Sequence, residues 1–299
     1  MPGKLTGLVA FAGIMAGMKL LSRLGVRRKY TIANQPARFA RAKAEGNKRY
    51  IDLESIYDPA FIKGKTVLVT GCNRGIGLAL CKELIACGAS VIGTSRATFQ
   101  LAGMRVISGL EMTDNNVGTK LADALQGQAV DFLVNNAGYF YEPVEKIDSL
   151  AFDEELKMID ICAVGPLRVT SGLFNAGLLQ SGSRVVIISS QGGSVEWRTT
   201  QNPYGYDYGH HMSKAAANMC GRLLSQELRH SGVCVSILHP GFNTTDMTAK
   251  YAHIWEVEGA VDAALGAKRV VHELGCMDAS PEDKQGSFVN CEDGLDIPW

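Results

Sequence analysis

Three glycines lie between a short apolar run and the start of an apolar helical pattern. The run spans residues 66–70, and Gly71, Gly75 and Gly77 follow it. A β-branched run of this kind is typical of a buried parallel strand. A strand that turns sharply into a helix directs free N–H groups and the positive end of the helix dipole at an anion, commonly a pyrophosphate. Glycine lets the backbone approach that anion, so the pattern predicts a phosphate-binding turn. The alternative is a tight strand–helix turn with no ligand.

Two arginines accompany this turn. Arg74 lies between the glycines, and Arg96 follows the next predicted strand. A site that is specific for NAD usually has an acidic residue at the end of that second strand, where it accepts hydrogen bonds from the ribose hydroxyls. Two guanidinium groups would instead pair with a 2′-phosphate. The sequence therefore predicts NADP(H) as the cofactor, and the alternative is that either arginine is a solvated surface charge.

Three further side chains could carry proton chemistry. Ser190 follows an apolar run at residues 185–188, and His210 precedes Lys214 by four residues. An imidazole can act as a general acid or base near neutral pH. On a helix, Lys214 would lie one turn away and would disfavour the protonated imidazole. The alternative for Ser190 is a hydroxyl that only satisfies the backbone at a strand end.

The elements that must position these residues alternate between strand and helix. This alternation predicts an α/β fold, a single Rossmann-type, doubly wound parallel sheet with an N-terminal hydrophobic and basic extension. Strands are predicted at residues 66–70, 90–95, 104–107, 131–135, 184–189, 234–238 and 287–290. Helices are predicted at 76–87, 115–126, 148–163 with a continuation to 180, 212–231 and 258–274.

Five motifs in order resemble the short-chain dehydrogenase/reductase family. They are T-G-x-x-x-G-x-G at 70–77, N-N-A-G at 135–138, the strand that ends at Ser190, S-K at 213–214 and H-P-G at 239–241. The resemblance covers residues 64–299. It points to the carbonyl-reductase-like branch that is related to bacterial C-factor and insect sniffer.

This resemblance implies roles for individual residues. In the family a serine polarises the substrate carbonyl, a tyrosine exchanges the proton, and a lysine binds the ribose and lowers the pKa of the tyrosine. These positions correspond to Ser190, His210 and Lys214. The implied NADP(H)-binding residues are Gly71, Asn73, Arg74, Gly75, Ile76, Gly77, Arg96, Asn136, Ala137, Gly138, Lys214, Pro240, Gly241 and Thr245. The implied function is an NADP(H)-dependent oxidoreductase that acts on an apolar carbonyl or alcohol.

Two catalytic positions depart from the family pattern. The family tyrosine is replaced by His210, and an asparagine that precedes a Gly-Pro pair is replaced by Cys162. Tyr206 or Tyr208 could supply a phenol only if residues 204–209 form a loop. The rival hypothesis is a catalytically impaired member that binds nucleotide as a structural, sensing or scaffold subunit of a larger membrane complex.

Composition restricts the remaining possibilities. Residues 1–50 contain eleven Lys and Arg residues and one acid, which leaves 19 basic and 29 acidic residues in the rest of the chain. The body is therefore a poor candidate for nucleic-acid binding. Its eight cysteines show no C-x-x-C pair and no metal-like spacing, so we expect reduced thiols and no metal site.

The N-terminus forms a separate predicted unit. Residues 5–18 contain one polar residue, Thr6, and four basic residues follow at 23 and 27–29. This pattern favours a membrane anchor over residues 1–29 with the body on the cytosolic side. An organelle presequence for a plastid or mitochondrion is the alternative, and secretion fits poorly. Residues 30–63 are interpreted as a linker that ends in a helical or extended lead-in. Homo-oligomerisation through the helices at 148–180 and 212–231, or membership of a larger complex, is implied by the resemblance.

Overall fold

The computed structural model describes residues 30–299. Its strands are β1 (Thr66–Thr70), β2 (Ser90–Ser95), β3 (Met104–Ser108), β4 (Phe132–Asn135), β5 (Arg184–Ile188), β6 (Cys234–His239), β7 (Asn243–Thr244), β8 (Val261–Asp262) and β9 (Phe288–Asn290). Seven of them form one parallel sheet in the order β3-β2-β1-β4-β5-β6-β9, and β7 pairs with β8. The predicted doubly wound α/β sheet is confirmed.

Helices cover both faces of the sheet. They are α1 (Gln35–Ala44), α2 (Lys48–Ile51), α3 (Gly75–Ala86), α4 (Val117–Leu125), α5 (Phe152–Ile159), α6 (Gly165–Asn175), α7 (Arg198–Gln201), α8 (Tyr208–Leu228), α9 (Ala263–Ala279) and α10 (Pro281–Lys284). Apolar side chains of α4, α6 and α8 form the core on one face. Side chains of α3 and α9 form the core on the other face. The central strands are buried on both sides, as their continuous apolar runs require.

The predicted helix at 148–180 is interrupted. Helix α5 ends at Ile159, a π-helical segment spans Asp160–Val164, and α6 begins at Gly165. Single-turn π segments are frequent at functional sites. The helix predicted at 212–231 begins earlier, at Tyr208, and the helix predicted at 258–274 is shifted to 263–279. Residues 246–254, which precede it, form a 3-10 helix.

The segment predicted as a linker packs onto the domain. Helix α1 begins after Asn34, whose side chain accepts a hydrogen bond from the backbone N–H of Ala37. Arg38 on this helix is 1% exposed and forms an ion pair with Glu292, which is equally buried. Composition did not indicate this packing, because the contacts are made by charged side chains that are 254 residues apart in the chain.

Residues 1–29, with the predicted anchor, lie outside the described residues. Among the helices within residues 30–299, none combines the length and the apolar character needed to cross a membrane.

Candidate active site

One cavity of about 350 Å³ lies at the carboxyl edge of the sheet, where loops follow β1, β2, β4, β5 and β6. Ligands of open α/β sheets bind at this edge, where the strand order reverses. Every residue predicted for cofactor binding or catalysis lines this one cavity: Gly71, Asn73, Arg74, Gly75, Ile76, Gly77, Arg96, Asn136, Ala137, Gly138, Ser190, His210, Lys214, Pro240, Gly241 and Thr245.

The glycine turn between β1 and α3 has no room for side chains. A Cβ on Gly77 would lie 2.1 Å from the carbonyl oxygen of Gly71, and one on Gly71 would lie 2.9 Å from Cα of Ala137. Gly71 also has a φ of +70°, a conformation that favours glycine. The side-chain amide of Asn136 donates hydrogen bonds to the carbonyls of Thr70 and Gly71, at 3.0 and 3.1 Å. Asn136 of the N-N-A-G segment therefore links the end of β4 to the glycine turn that follows the neighbouring strand β1.

The start of α3 fits a phosphate group. Helix α3 has no side-chain cap, and its first residues, at positions 75–77, line the cavity with N–H groups that have no partner within the helix. At the far end of the cavity, the hydroxyls of Thr94 and Ser95 are buried and have no hydrogen-bond partner within residues 30–299. Because these two hydroxyls are inaccessible, the N–H groups at the start of α3 are the polar atoms of this part that a phosphate could contact.

Both arginines that are predicted to bind the 2′-phosphate, Arg74 and Arg96, line the same cavity as Thr94 and Ser95. Arg74 is exposed, and its side chain makes no hydrogen bond or ion pair with residues 30–299. The Arg96 side chain is 63% exposed, and its Nε lies 3.7 Å from a carboxylate oxygen of Glu111. An exposed pair at this distance contributes little, so both guanidinium groups remain available to an anion.

Ser190 and Lys214 are held by the end of β5. Ser190 Oγ accepts a hydrogen bond of 3.0 Å from the backbone N–H of Gly192, which leaves its own hydrogen free to be donated. Lys214 Nζ donates to the carbonyl of Ile188 at 3.1 Å. Both side chains are therefore hydrogen-bonded to the backbone near the end of β5, and both line the cavity.

His210 lies in the first turn of α8, with its ring centroid 4.4 Å from that of Phe140. His210 Nε2 and Ser190 Oγ each lie 3.1 Å from the point where a Cβ on Gly192 would stand. Burial lowers the pKa of His210 well below its usual range, and the charges of His211, Lys214, Lys250 and Arg198 lower it further. The ring is therefore neutral at pH 7 and can accept a proton or donate one N–H hydrogen bond.

Neither alternative tyrosine lines the cavity. Tyr206 and Tyr208 are 40% and 38% exposed, and Tyr208 is already the first residue of α8. The ammonium of Lys146 lies 5.4 Å from the centroid of the Tyr206 ring. His210 is thus the residue of segment 204–210 that reaches the cavity.

Sequence reasoning missed an aromatic and apolar wall at the end of the cavity that contains His210. Its residues are Tyr139, Phe140, Ile161, Met247 and Tyr251. The Gly-Tyr-Phe sequence directly after the N-N-A motif could have indicated the first two. Nothing in the local sequence marked Tyr251, whose hydroxyl donates to the Asp207 carboxylate. Burial and this hydrogen bond raise the pKa of Tyr251, which makes it a poor proton donor.

Cys162, at the position of the family asparagine, lies in the π-helical segment. It is 3% exposed, and its thiol donates to the carbonyl of Tyr139 at 3.5 Å. It does not line the cavity. The interpretation as a small buried thiol agrees with this position.

Residues 65–254 match the sequence model of the short chain dehydrogenases. The chain belongs to this family. The resemblance that the motifs indicated is thereby confirmed. The matched range contains every predicted site residue, whereas α1 and α2 precede it.

Individual relatives agree with this assignment. A 1-hydroxy-2-glutathionyl-2-methyl-3-butene dehydrogenase of Rhodococcus sp. (strain AD45) is 33% identical over 239 residues, which are 78% of this chain and 99% of the relative. C-signal of Myxococcus xanthus is 35% identical over 173 residues, 57% of this chain and 93% of its own. Among solved structures, the NADPH-bound carbonyl reductase from chicken fatty liver is similar, with a TM-score of 0.66 and 25% identity over 79% of this chain and all of that one.

Proposed function

We propose that this chain is an NADP(H)-dependent oxidoreductase that interconverts the carbonyl and alcohol forms of an apolar small molecule. The observation that carries the proposal is that Ser190, His210, Lys214 and all residues predicted to bind the cofactor line a single cavity. The likeness to a carbonyl reductase that holds NADPH supports the choice of cofactor and of reaction class.

The residues divide the cavity into a cofactor part and a reaction part. The turn from Gly71 to Gly77 would hold the pyrophosphate, because its N–H groups lack partners within the helix and its glycines leave the backbone open. Arg74 and Arg96 would pair with the 2′-phosphate. Asn136, Ala137 and Gly138 would lie along the cofactor, with Pro240, Gly241 and Thr245 on its other side. When bound, NADPH supplies the hydride.

In the reaction part, Ser190 would donate its hydroxyl hydrogen to the substrate carbonyl oxygen, since Oγ already accepts the N–H of Gly192. Lys214 would bind the ribose hydroxyls. The neutral ring of His210 would accept the proton when an alcohol is oxidised. In carbonyl reduction it must first be protonated in order to give a proton, which its surroundings oppose.

The aromatic wall favours an apolar substrate. Tyr139, Phe140 and Met247 line the end of the cavity that also contains His210. Apolar walls with a few polar groups are typical of small-molecule sites.

A second function is favoured by one observation, the state of His210. Its ring forms no side-chain hydrogen bond with residues 30–299, and its protonated form is disfavoured. Such a site could bind NADP(H) and turn over slowly or not at all. The chain would then act as a structural, sensing or scaffold subunit.

One experiment separates the two functions. The purified protein is analysed for bound nucleotide, and NADPH oxidation is then measured with aldehydes, ketones and quinones, alongside NADP⁺ reduction with the matching alcohols. Turnover that Ser190→Ala removes, with NADPH binding retained, supports the oxidoreductase. Tight NADPH binding with no turnover in either direction supports the scaffold.

For residues 1–29 we propose retention as a membrane anchor, with an organelle presequence as the alternative outcome. The support is the apolar run followed by basic residues. The test is fractionation of the full chain against a chain that begins at Tyr30, which leaves α1 in place. Equal solubility and equal location of the two would contradict both versions. Cleavage before residue 30 would identify a presequence.

We propose that α5 and α8 form an interface between copies of this chain or with a larger partner. Phe152 and Leu156 on α5 are 67% and 65% exposed, and Met219 and Leu223 on α8 are 61% and 56% exposed. Each pair is spaced by four residues and therefore lies on one side of its helix. Exposed apolar side chains that lie together on one side of a helix are a feature of interaction surfaces.

A further inference from the structure

The turn that carries Ser190 belongs to a loop that the preceding segment of the chain contacts three times. We call residues 190–201 the Ser190 loop. Arg38 Nη2 donates to the side-chain oxygen of Gln191 at 2.9 Å, and its guanidinium carbon lies 5.7 Å from the centroid of the Trp197 ring. The side-chain amide of Gln201 donates to the carbonyl of Ala33 at 3.0 Å. Ala33 and Arg38, which make these contacts, both precede the range that matches the family model.

Arg38 is itself rigidly held. Its Nε donates to the carbonyl of Ile32 at 3.0 Å, and its Nη1 pairs with a carboxylate oxygen of Glu292 at 2.5 Å. Burial alone would raise the pKa of Glu292, but Arg38 and Arg269 hold that pKa below its usual range. Glu292 therefore stays ionised and fixes the guanidinium. With all three nitrogens engaged and 1% exposure, Arg38 has little freedom to move.

The contact reaches the proposed reaction centre through one residue. Gln191 follows Ser190 and begins the 3-10 turn Gln191–Gly193, whose Gly192 N–H donates to Ser190 Oγ. Arg38 holds the Gln191 side chain, while Arg198 Nη2 donates to the backbone carbonyl of Gln191 at 2.9 Å. Two guanidinium groups therefore clamp the start of this turn, one at the side chain of Gln191 and one at its backbone carbonyl.

We propose that Arg38 is a positioning residue of the active site, which fixes the Ser190 hydroxyl through Gln191 and so makes helix α1 part of the catalytic unit. The catalytic part of this inference rests on the proposed function. Misplacement of a reacting group by about 1 Å can reduce a rate by about 100-fold. Loss of the clamp should therefore lower kcat more than it raises KM for NADPH, because the cofactor turn lies elsewhere in the cavity.

The experiment uses the full chain and the variant Gln191→Met, which removes the acceptor and leaves the Arg38–Glu292 pair intact. Gln191→Glu restores an acceptor, and Gln180→Met is the matched control, since its amide bonds the carbonyl of Gly177 outside the loop. Amide hydrogen exchange of peptides from residues 190–201 is compared with that of residues 66–86. Arg38→Met is measured in parallel.

In Gln191→Met we expect exchange across 190–201 to rise about tenfold, with residues 66–86 and the melting temperature unchanged. Gln191→Glu should return exchange to the native rate. We expect kcat to fall about 10- to 100-fold in Gln191→Met but not in Gln191→Glu, with little change in KM for NADPH. Unchanged exchange in Gln191→Met would overturn the clamp, whatever Arg38→Met does. Raised exchange with unchanged kcat would overturn the positioning role. An inactive native protein would refute the proposed function, while the exchange comparison would still decide on the clamp.

Discussion

Replacement of His210 by tyrosine tests whether the reaction centre lacks only a proton donor. The side chain at 210 starts from the first turn of α8 and lies beside Phe140, near Ser190 Oγ. Lys214 follows one helical turn later, and its positive charge would favour a phenolate and lower the pKa of a phenol. The same charge opposes a protonated imidazole. The surroundings therefore suit a tyrosine better than the histidine that is present.

The expected gain follows from the size of general acid catalysis. A positioned acid contributes about 10²- to 10⁴-fold to a rate. This factor corresponds to about 3–5 kcal/mol of transition-state stabilisation. A Cβ on Gly192 would lie only 3.1 Å from both His210 Nε2 and Ser190 Oγ, so the glycine allows the side chain at 210 and the Ser190 hydroxyl to lie close together. We therefore expect His210→Tyr to raise kcat/KM for carbonyl reduction by at least about 100-fold.

The assay is NADPH oxidation with the best carbonyl substrate from the screen, together with NADPH affinity for each variant. Ser190→Ala in the His210→Tyr background should remove the gain, and His230→Tyr, at an exposed position outside the cavity, should give none. If His210→Tyr binds NADPH as the native chain does and stays as slow, the reasoning is refuted. The low activity would then have a cause beyond residue 210, for example the cysteine at position 162.

The pH profile distinguishes the two donors. Because the pKa of His210 is lowered, its protonated fraction at neutral pH is small and grows as the pH falls. If His210 gives the proton, reduction by the native chain should rise about tenfold for each unit of decrease until the pH reaches that pKa. His210→Tyr should lack this rise. A native rate that is flat between about pH 8 and about pH 5 would show that His210 is not the acid.

Three other outcomes are expected. Arg74→Ala with Arg96→Ala should weaken NADPH binding about 10- to 100-fold for each guanidinium group removed and leave NADH binding nearly unchanged, as measured by titration calorimetry; equal weakening of both nucleotides would contradict the NADP(H) assignment. Gly77→Ala should lower the free energy of unfolding by about 1–3 kcal/mol and abolish nucleotide binding, because its Cβ would overlap the turn. Gly138→Ala, whose Cβ would meet nothing closer than 3.7 Å, should retain native stability. Leu156→Glu should convert an oligomer to monomers in sedimentation velocity, and a native chain that is already monomeric at micromolar concentration would refute the interface.

The cofactor part of the cavity could be predicted from sequence because its chemistry depends on the backbone. Close approach of Gly77 to Gly71 excludes any side chain, and this leaves a readable pattern of glycines. Apolar runs in the sequence predict the strands, and therefore the strand ends that Arg96 and Ser190 follow. Six of the seven strands of the sheet are buried, apart from the first residues of β1 and β2, and β3 is the exception. Local sequence was therefore sufficient for the sheet and for the edge at which the residues predicted to bind a nucleotide meet.

Two features could not be predicted in this way, since they depend on charges that are distant in sequence. Residues 30–62 show no helical period of apolar side chains, yet Arg38 is buried because Glu292 satisfies it. The end of the cavity that contains His210 likewise depends on Asp207, which binds both Lys250 at 2.9 Å and the Tyr251 hydroxyl. A buried ion pair requires both partners, and a pattern within one segment contains only one of them.

The charges around His210 also limit what the histidine can do. Lys214 lines the cavity, and Lys250 lies 3.8 Å from the centroid of the Phe140 ring that packs on the imidazole. Positive charge at this point opposes an imidazolium but stabilises negative charge on a substrate oxygen. A neutral imidazole can still donate one N–H to that oxygen, as Ser190 can donate its hydroxyl. On the proposed function, the site therefore retains groups that would polarise a carbonyl, and the replacement of the family tyrosine by His210 would remove a ready source of the proton.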